Sequence, residues 1–163
     1  MNQAVSNLEV MQIGLSDEDR QTVAQPLNEL LADMHVLYVK ARNYHWNITG
    51  DQFFVLHAEF EKLYDGLAED IDAVAERIRA IGGTAVGSMG QFLAHARLKE
   101  ASTIPDARTM VADLLHDYES LISTLRGLVD LIGDTGDAGT EDFCTGMMES
   151  YEKTAWMLRA FLR

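Results

Sequence analysis

Only two prolines, Pro26 and Pro105, interrupt 163 residues, and the glycines gather at a few points, so four long stretches contain nothing that breaks a helix. Each stretch repeats apolar residues three and four positions apart, the period of a helix with one buried face. In the first, Ser16 is a good N-cap, and Asp17, Glu18 and Asp19 follow it where negative charge favours a helix start. Its stripe of Val23, Leu27, Leu30, Leu31, Met34, Leu37, Tyr38, Ala41 and Tyr44 runs to Asn47 and Gly50, with a kink expected at Pro26. A second helix is expected from about Gln52 to Ile81, on Phe53, Phe60, Leu63, Leu67, Ile71, Val74 and Ile78, with Gly82 and Gly83 as its stop. A third follows Pro105 with Asp106 as cap, turns Met110, Leu114, Tyr118, Leu121, Leu125 and Leu128 inward, and stops at Gly133. The last begins near Thr140 and buries Phe143, Met147, Tyr151, Ala155, Leu158 and Leu162.

Between Gly83 and Pro105 lies a long crossover with room for one short helix from about Met89 to Ala96. Two helices, a long crossover and two more helices is the wiring of an all-α, ferritin-like four-helix bundle. The chain divides into a tail, 1–15, and one domain, 16–163. No run approaches the roughly 18 to 20 apolar residues that span a bilayer. The N-terminus has neither a basic segment nor an apolar signal core, which leads to the expectation of a cytoplasmic protein without a membrane partner. The single cysteine, Cys144, reads as a small buried hydrophobe.

Thirteen Lys and Arg against 26 Asp and Glu give a net charge of −13 with neutral histidines. Such a surface works against phosphate binding, which argues against DNA as a partner, and it attracts cations. Metal sites inside such bundles use Glu-x-x-His, and no Glu here has His three positions on. Two other pairs stand one turn apart on the second helix: His57 with Glu61, and Asp72 with Glu76. The 11 residues from Glu61 to Asp72 separate them by roughly 16 Å, so one ion cannot touch both pairs within one helix. Antiparallel pairing with a second copy brings the two pairs level, about a midpoint between Gly66 and Leu67. A glycine inside a long helix costs about 1 kcal/mol relative to alanine, and close approach of a partner backbone is one reason for it. Spacing alone leaves a second reading open, in which these residues form a solvated helix flank. His45 adds an imidazole near the end of the first helix, beside Trp46, where a packed hydrogen-bonded histidine is the competing reading.

The segment Tyr44-His45-Trp46-Asn47-Ile48-Thr49-Gly50, then Phe53-Phe54 and Leu56-His57-Ala58-Glu59-Phe60-Glu61, then Asp70-Ile71-Asp72-Ala73-Val74-Ala75-Glu76-Arg77-Ile78, resembles the Dps family of mini-ferritins. The resemblance covers the chain from about residue 16. It implies a hollow shell of 12 subunits built from twofold dimers, with the short helix in the crossover. It also implies a mono-iron or di-iron ferroxidase site at the dimer interface, with His45, His57 and Glu61 from one subunit and Asp72 and Glu76 from the other. Fe(II) is oxidised there, preferentially with hydrogen peroxide and otherwise with O2, and the ferric product is stored, which protects against oxidative stress. Family members often carry Asp where this chain has Glu61. Trp46 matches an aromatic that quenches radicals beside the site, packing being its other reading. In a shell, Asp134, Asp137, Glu141 and Asp142 would line a threefold pore for iron; stabilisation of the last helix's N-terminus is the competing reading for Glu141 and Asp142. Two alternative functions stand beside this one. Some relatives compact DNA through basic terminal tails, which this chain lacks, and a shell with a degenerate metal site only assembles.

Overall fold

The computed structural model describes residues 10–163, so the first nine residues of the expected tail lie outside it. Among the described residues the elements are α1 (Asp17–Asn47), α2 (Phe53–Ala80), α3 (Met89–His95), α4 (Ala107–Gly133) and α5 (Ala138–Phe161), with no strand. None of these helices is long and apolar enough to cross a membrane. The long helices form the bundle: α1 packs on α2, α3 and α4, and α4 packs on α5. Its core holds Leu27, Leu30, Met34, Leu37, Phe60, Leu67, Val74, Ile78, Leu114, Leu121, Leu125 and Cys144, all essentially sealed from solvent. Burial pushes the Cys144 thiol up to about 11, against which the nearby Arg77 charge works only in part. That makes Cys144 the inert hydrophobe its isolation suggests.

The caps explain where the helices begin and end. Ser16 accepts from the Asp19 amide, Asp106 from the amides of Arg108 and Thr109, and Ser88 and Gln91 form a capping box on α3. The α2 stop is a Schellman turn: the Gly82 amide donates to Arg79 O and the Gly83 amide to Ile78 O. Gly82 sits at φ +82°, and a Cβ on Gly83 would come within 2.9 Å of Ala24 Cβ and Ile78 Cγ2, so each glycine is needed for a different reason. α1 continues through Pro26 with the loss of the one bond a proline cannot donate, here to Thr22. The last helix starts at Ala138, two residues before the expected Thr140, because Asp137 caps it and accepts from the Thr140 amide.

The crossover is ordered by three buried polar residues of α1. Arg20 donates to Ile81 O. Asn28 donates to Thr84 O and accepts from the Val86 amide. Asp33 accepts from the amides of Arg97 and Leu98 and pairs with the Arg97 guanidinium at 2.7 Å. A connection of this length stays on the bundle because its backbone polar groups find partners there. His35 completes the contact by stacking on Phe92 of α3 at 3.6 Å; burial lowers its pKa, so it packs there as the neutral ring.

Candidate metal centre

The turn from α1 to α2 brings His45 and His57 face to face. Ile48 plugs it into the core, and Gly50 reverses it at φ +94°. The two imidazoles stack with centroids 3.7 Å apart and planes 23° apart. Each Nδ1 lies on the other residue's carbonyl oxygen, at 2.7 Å from His45 to His57 O and 2.9 Å from His57 to His45 O. A carbonyl oxygen only accepts, so each Nδ1 carries the proton, and the neutral ring keeps its lone pair on Nε2. Backbone carbonyls thus fix both tautomers and orient both rings, as they do for metal-binding histidines. Phe53 stacks on His57 at 5.0 Å, and Tyr64 meets His45 edge-on at 5.2 Å. His45 is buried, whereas His57 is half-buried.

The carboxylates lie on the solvent side of α2. Glu61, Asp72 and Glu76 are exposed, and Glu61 takes a long hydrogen bond, 3.4 Å, from the Tyr64 hydroxyl. At about 100° per residue, His57, Glu61, Asp72 and Glu76 fall within an arc of about 100° around the helix. They share a face but not a point: among the described residues, no three His, Cys, Asp or Glu side chains of one chain converge where a metal could sit. Gly66 does not belong to that arc. The same arithmetic puts it about 130° from the arc's centre, and a Cβ there would meet nothing within the chain. The backbone approach expected at Gly66 therefore has no support from this face: Gly66 sits midway between the pairs along the helix axis but well away from them around it.

Trp46 is 63% exposed, with the Arg42 guanidinium over its ring, so packing within the chain does not account for it. Of the four acidic residues expected at a pore, Asp134 and Asp142 are exposed and Glu141 is half-buried beside Gly133. Asp137 departs from the expectation. It is 5% exposed, accepts from Thr140 and pairs with Arg77 at 3.0 Å, so its carboxylate is closed to passing cations. Sequence reasoning passed over Tyr64, whose place seven residues after His57 puts it on nearly the same helix face, and Arg42. The Tyr64 hydroxyl is held above its ordinary pKa by desolvation, and further by the carboxylates of Glu61 and Asp65.

A family model described as a ferritin-like domain matches residues 24–163. The chain is 52% identical over 152 residues to an uncharacterised low temperature-induced protein of Nostoc sp., covering 92% of this chain and 85% of that one. It is 41% identical over 140 residues to DNA protection during starvation protein 2 of Bacillus anthracis, covering 86% and 96%. Its fold is similar to that of the Dps protein from Vibrio cholerae O1, with a TM-score of 0.91 and 37% identity over the whole of both chains. That protein is described as a member of a broad superfamily of ferritin-like diiron-carboxylate proteins.

Proposed function

The chain belongs to the Dps family of ferritin-like proteins, and on that premise we propose that it is a mini-ferritin ferroxidase. It oxidises Fe(II), preferentially with hydrogen peroxide, and stores the ferric product in a hollow shell of its own copies. The observation that carries the reading is the His45–His57 pair, whose reciprocal Nδ1 bonds leave two Nε2 lone pairs beside a carboxylate-lined helix face. In the dimer, His45, His57 and Glu61 of one subunit act with Asp72 and Glu76 of the other. Each half-set is too small alone, and apart from His45, which α1 supplies, their members stand on one arc of α2.

The donor types suit the substrate. Neutral imidazole is a good partner for Fe(II), and carboxylate favours the higher charge of Fe(III), so the mixed set assists oxidation. Two Fe(II) supply two electrons, and one hydrogen peroxide takes them with two protons to become two waters, without release of hydroxyl radical. Glu61 reaches one methylene further than Asp, so it holds iron from farther down the helix face or through water. Asp134, Glu141 and Asp142 draw Fe(II) toward the shell by focused negative potential, and the overall charge of −13 assists them. Trp46 stands ready to take up stray radicals.

Loading Fe(II) anaerobically and then adding peroxide tests the reading. The expected result is one peroxide consumed per two Fe(II) oxidised, faster than with O2, and no hydroxyl adduct of a spin trap. Consumption of one peroxide per Fe(II) with a strong adduct would contradict it.

A further inference from the structure

Arg42 on α1 is a cation beside a site that gathers cations. Its guanidinium carbon lies 4.9 Å from the Trp46 ring centroid, 5.4 Å from that of Tyr64 and 5.5 Å from that of Tyr38. Nη1 donates to Tyr38 Oη at 2.8 Å, which fixes the plane of the fork. Tyr64 in turn meets Tyr38 edge-on at 6.2 Å and His45 edge-on at 5.2 Å. The rings between Arg42 and the histidine pair are therefore in continuous contact.

A guanidinium keeps its charge at any working pH, and here the charge rests on the electron-rich faces of aromatic rings. That attraction depends on the ring's own electrons. Once an electron is removed, two positive charges stand in contact and the attraction turns to repulsion. An indole under a guanidinium is for that reason harder to oxidise than an indole in water. Trp156 supplies the comparison within the same chain: it is 62% exposed against 63% for Trp46, and Arg42 is not over it.

We propose that Arg42 sets the oxidation threshold of Trp46, so that the indole yields an electron to strong one-electron oxidants such as hydroxyl radical and is spared by weaker ones. In the step itself, Trp46 passes one electron to the oxidant and its Nε1 proton to solvent, leaving a neutral indolyl radical. The use of such a threshold rests on the iron chemistry proposed above, because a stray one-electron reduction of peroxide there, outside the paired two-electron step, is what would set a strong oxidant beside Trp46. The threshold is a property of the iron-free protein and is measured there.

The test uses the iron-free, assembled protein and photogenerated tris(bipyridine)ruthenium(III), which takes one electron and returns to ruthenium(II). Peptide mass spectrometry reads the ratio of oxidised Trp46 to oxidised Trp156, and the ratio cancels any general change in attraction of the probe. Arg42→Gln keeps a donor for Tyr38 Oη but removes the charge, and it is expected to raise the ratio by roughly threefold to thirtyfold. Arg42→Lys keeps the charge without the flat face, and its rise is smaller. An unchanged ratio in Arg42→Gln, with helicity and native mass as in the parent, overturns the proposal. Where Arg42→Gln does not assemble, Arg42→Lys decides, and an unchanged ratio there overturns it equally. Failure of the iron reading leaves this ratio untouched, and failure of the ratio leaves iron oxidation standing.

Discussion

Asparagine at both His45 and His57 slows peroxide-driven Fe(II) oxidation by about 100-fold or more, while the chain stays folded. The choice of asparagine follows from the geometry. Its side-chain nitrogen falls near the place of imidazole Nδ1, so the bonds to His57 O and His45 O can persist. Nothing in asparagine replaces the Nε2 lone pair. Alanine at both positions removes the donors as well, and loses about 1–3 kcal/mol of stability in addition, at about 0.5–1.5 kcal/mol for each hydrogen bond. Stopped-flow ferric absorbance together with thermal unfolding separates the two contributions. A double asparagine variant that oxidises iron at the parent rate would show that the stacked imidazoles only tie α1 to α2.

Lys40→Met destabilises the chain by about 3 kcal/mol, the low end of what breaking a buried ion pair does. Lys40 and Asp117 bridge α1 and α4 at 2.5 Å, with 8% and 5% of their side chains exposed. They form the floor of a cleft of about 820 Å³ between α1, α4 and the crossover, and water there softens the loss. Burial raises the Asp117 pKa, and the Lys40 hydrogen bond and charge pull it back. Without Lys40 the pKa rises further. The folded state then holds a proton that the unfolded chain, with Asp near 3.9, has released, so the variant gains stability as pH falls from neutral toward that value. Urea unfolding at several pH values checks the sign. Lys40→Met/Asp117→Asn recovers most of the loss, because no uncompensated charge remains. A loss that grows on acidification would contradict this account of the pair.

The four long helices were legible because each keeps an apolar stripe of constant period, and because Ser16 and Asp106 are strong caps. The path of the crossover was not legible. The partners of Arg20, Asn28 and Asp33 lie 56 to 65 residues away in sequence, a separation that no local pattern bridges. The start of α5 is hidden for a related reason: Asp137 has the spacing of a pore charge in the sequence, and only its bonds to Arg77 and Thr140 in the fold make it a cap. At the site, residue types and spacing singled out the histidines and carboxylates. The reciprocal carbonyl bonds were invisible, since they depend on how the turn through Gly50 closes. Gly66 shows the limit from the other side, where spacing along the axis agreed and the angle around it did not. Arg42 left no signal in the pattern, because a lone arginine on a helix gives no hint of which rings will surround it.

The claim that most needs testing is that the site is shared between two chains. His45→Ala/His57→Ala and Asp72→Asn/Glu76→Gln should each be slow alone. When the two variants are unfolded together and reassembled, a mixed dimer holds one site with every ligand intact and one left with Glu61 alone. With random pairing half the dimers are mixed, so the mixture is expected to regain about a quarter of the parent's rapid Fe(II) oxidation by peroxide. A reassembled mixture no faster than the two variants measured apart would mean that iron oxidation does not draw on both chains.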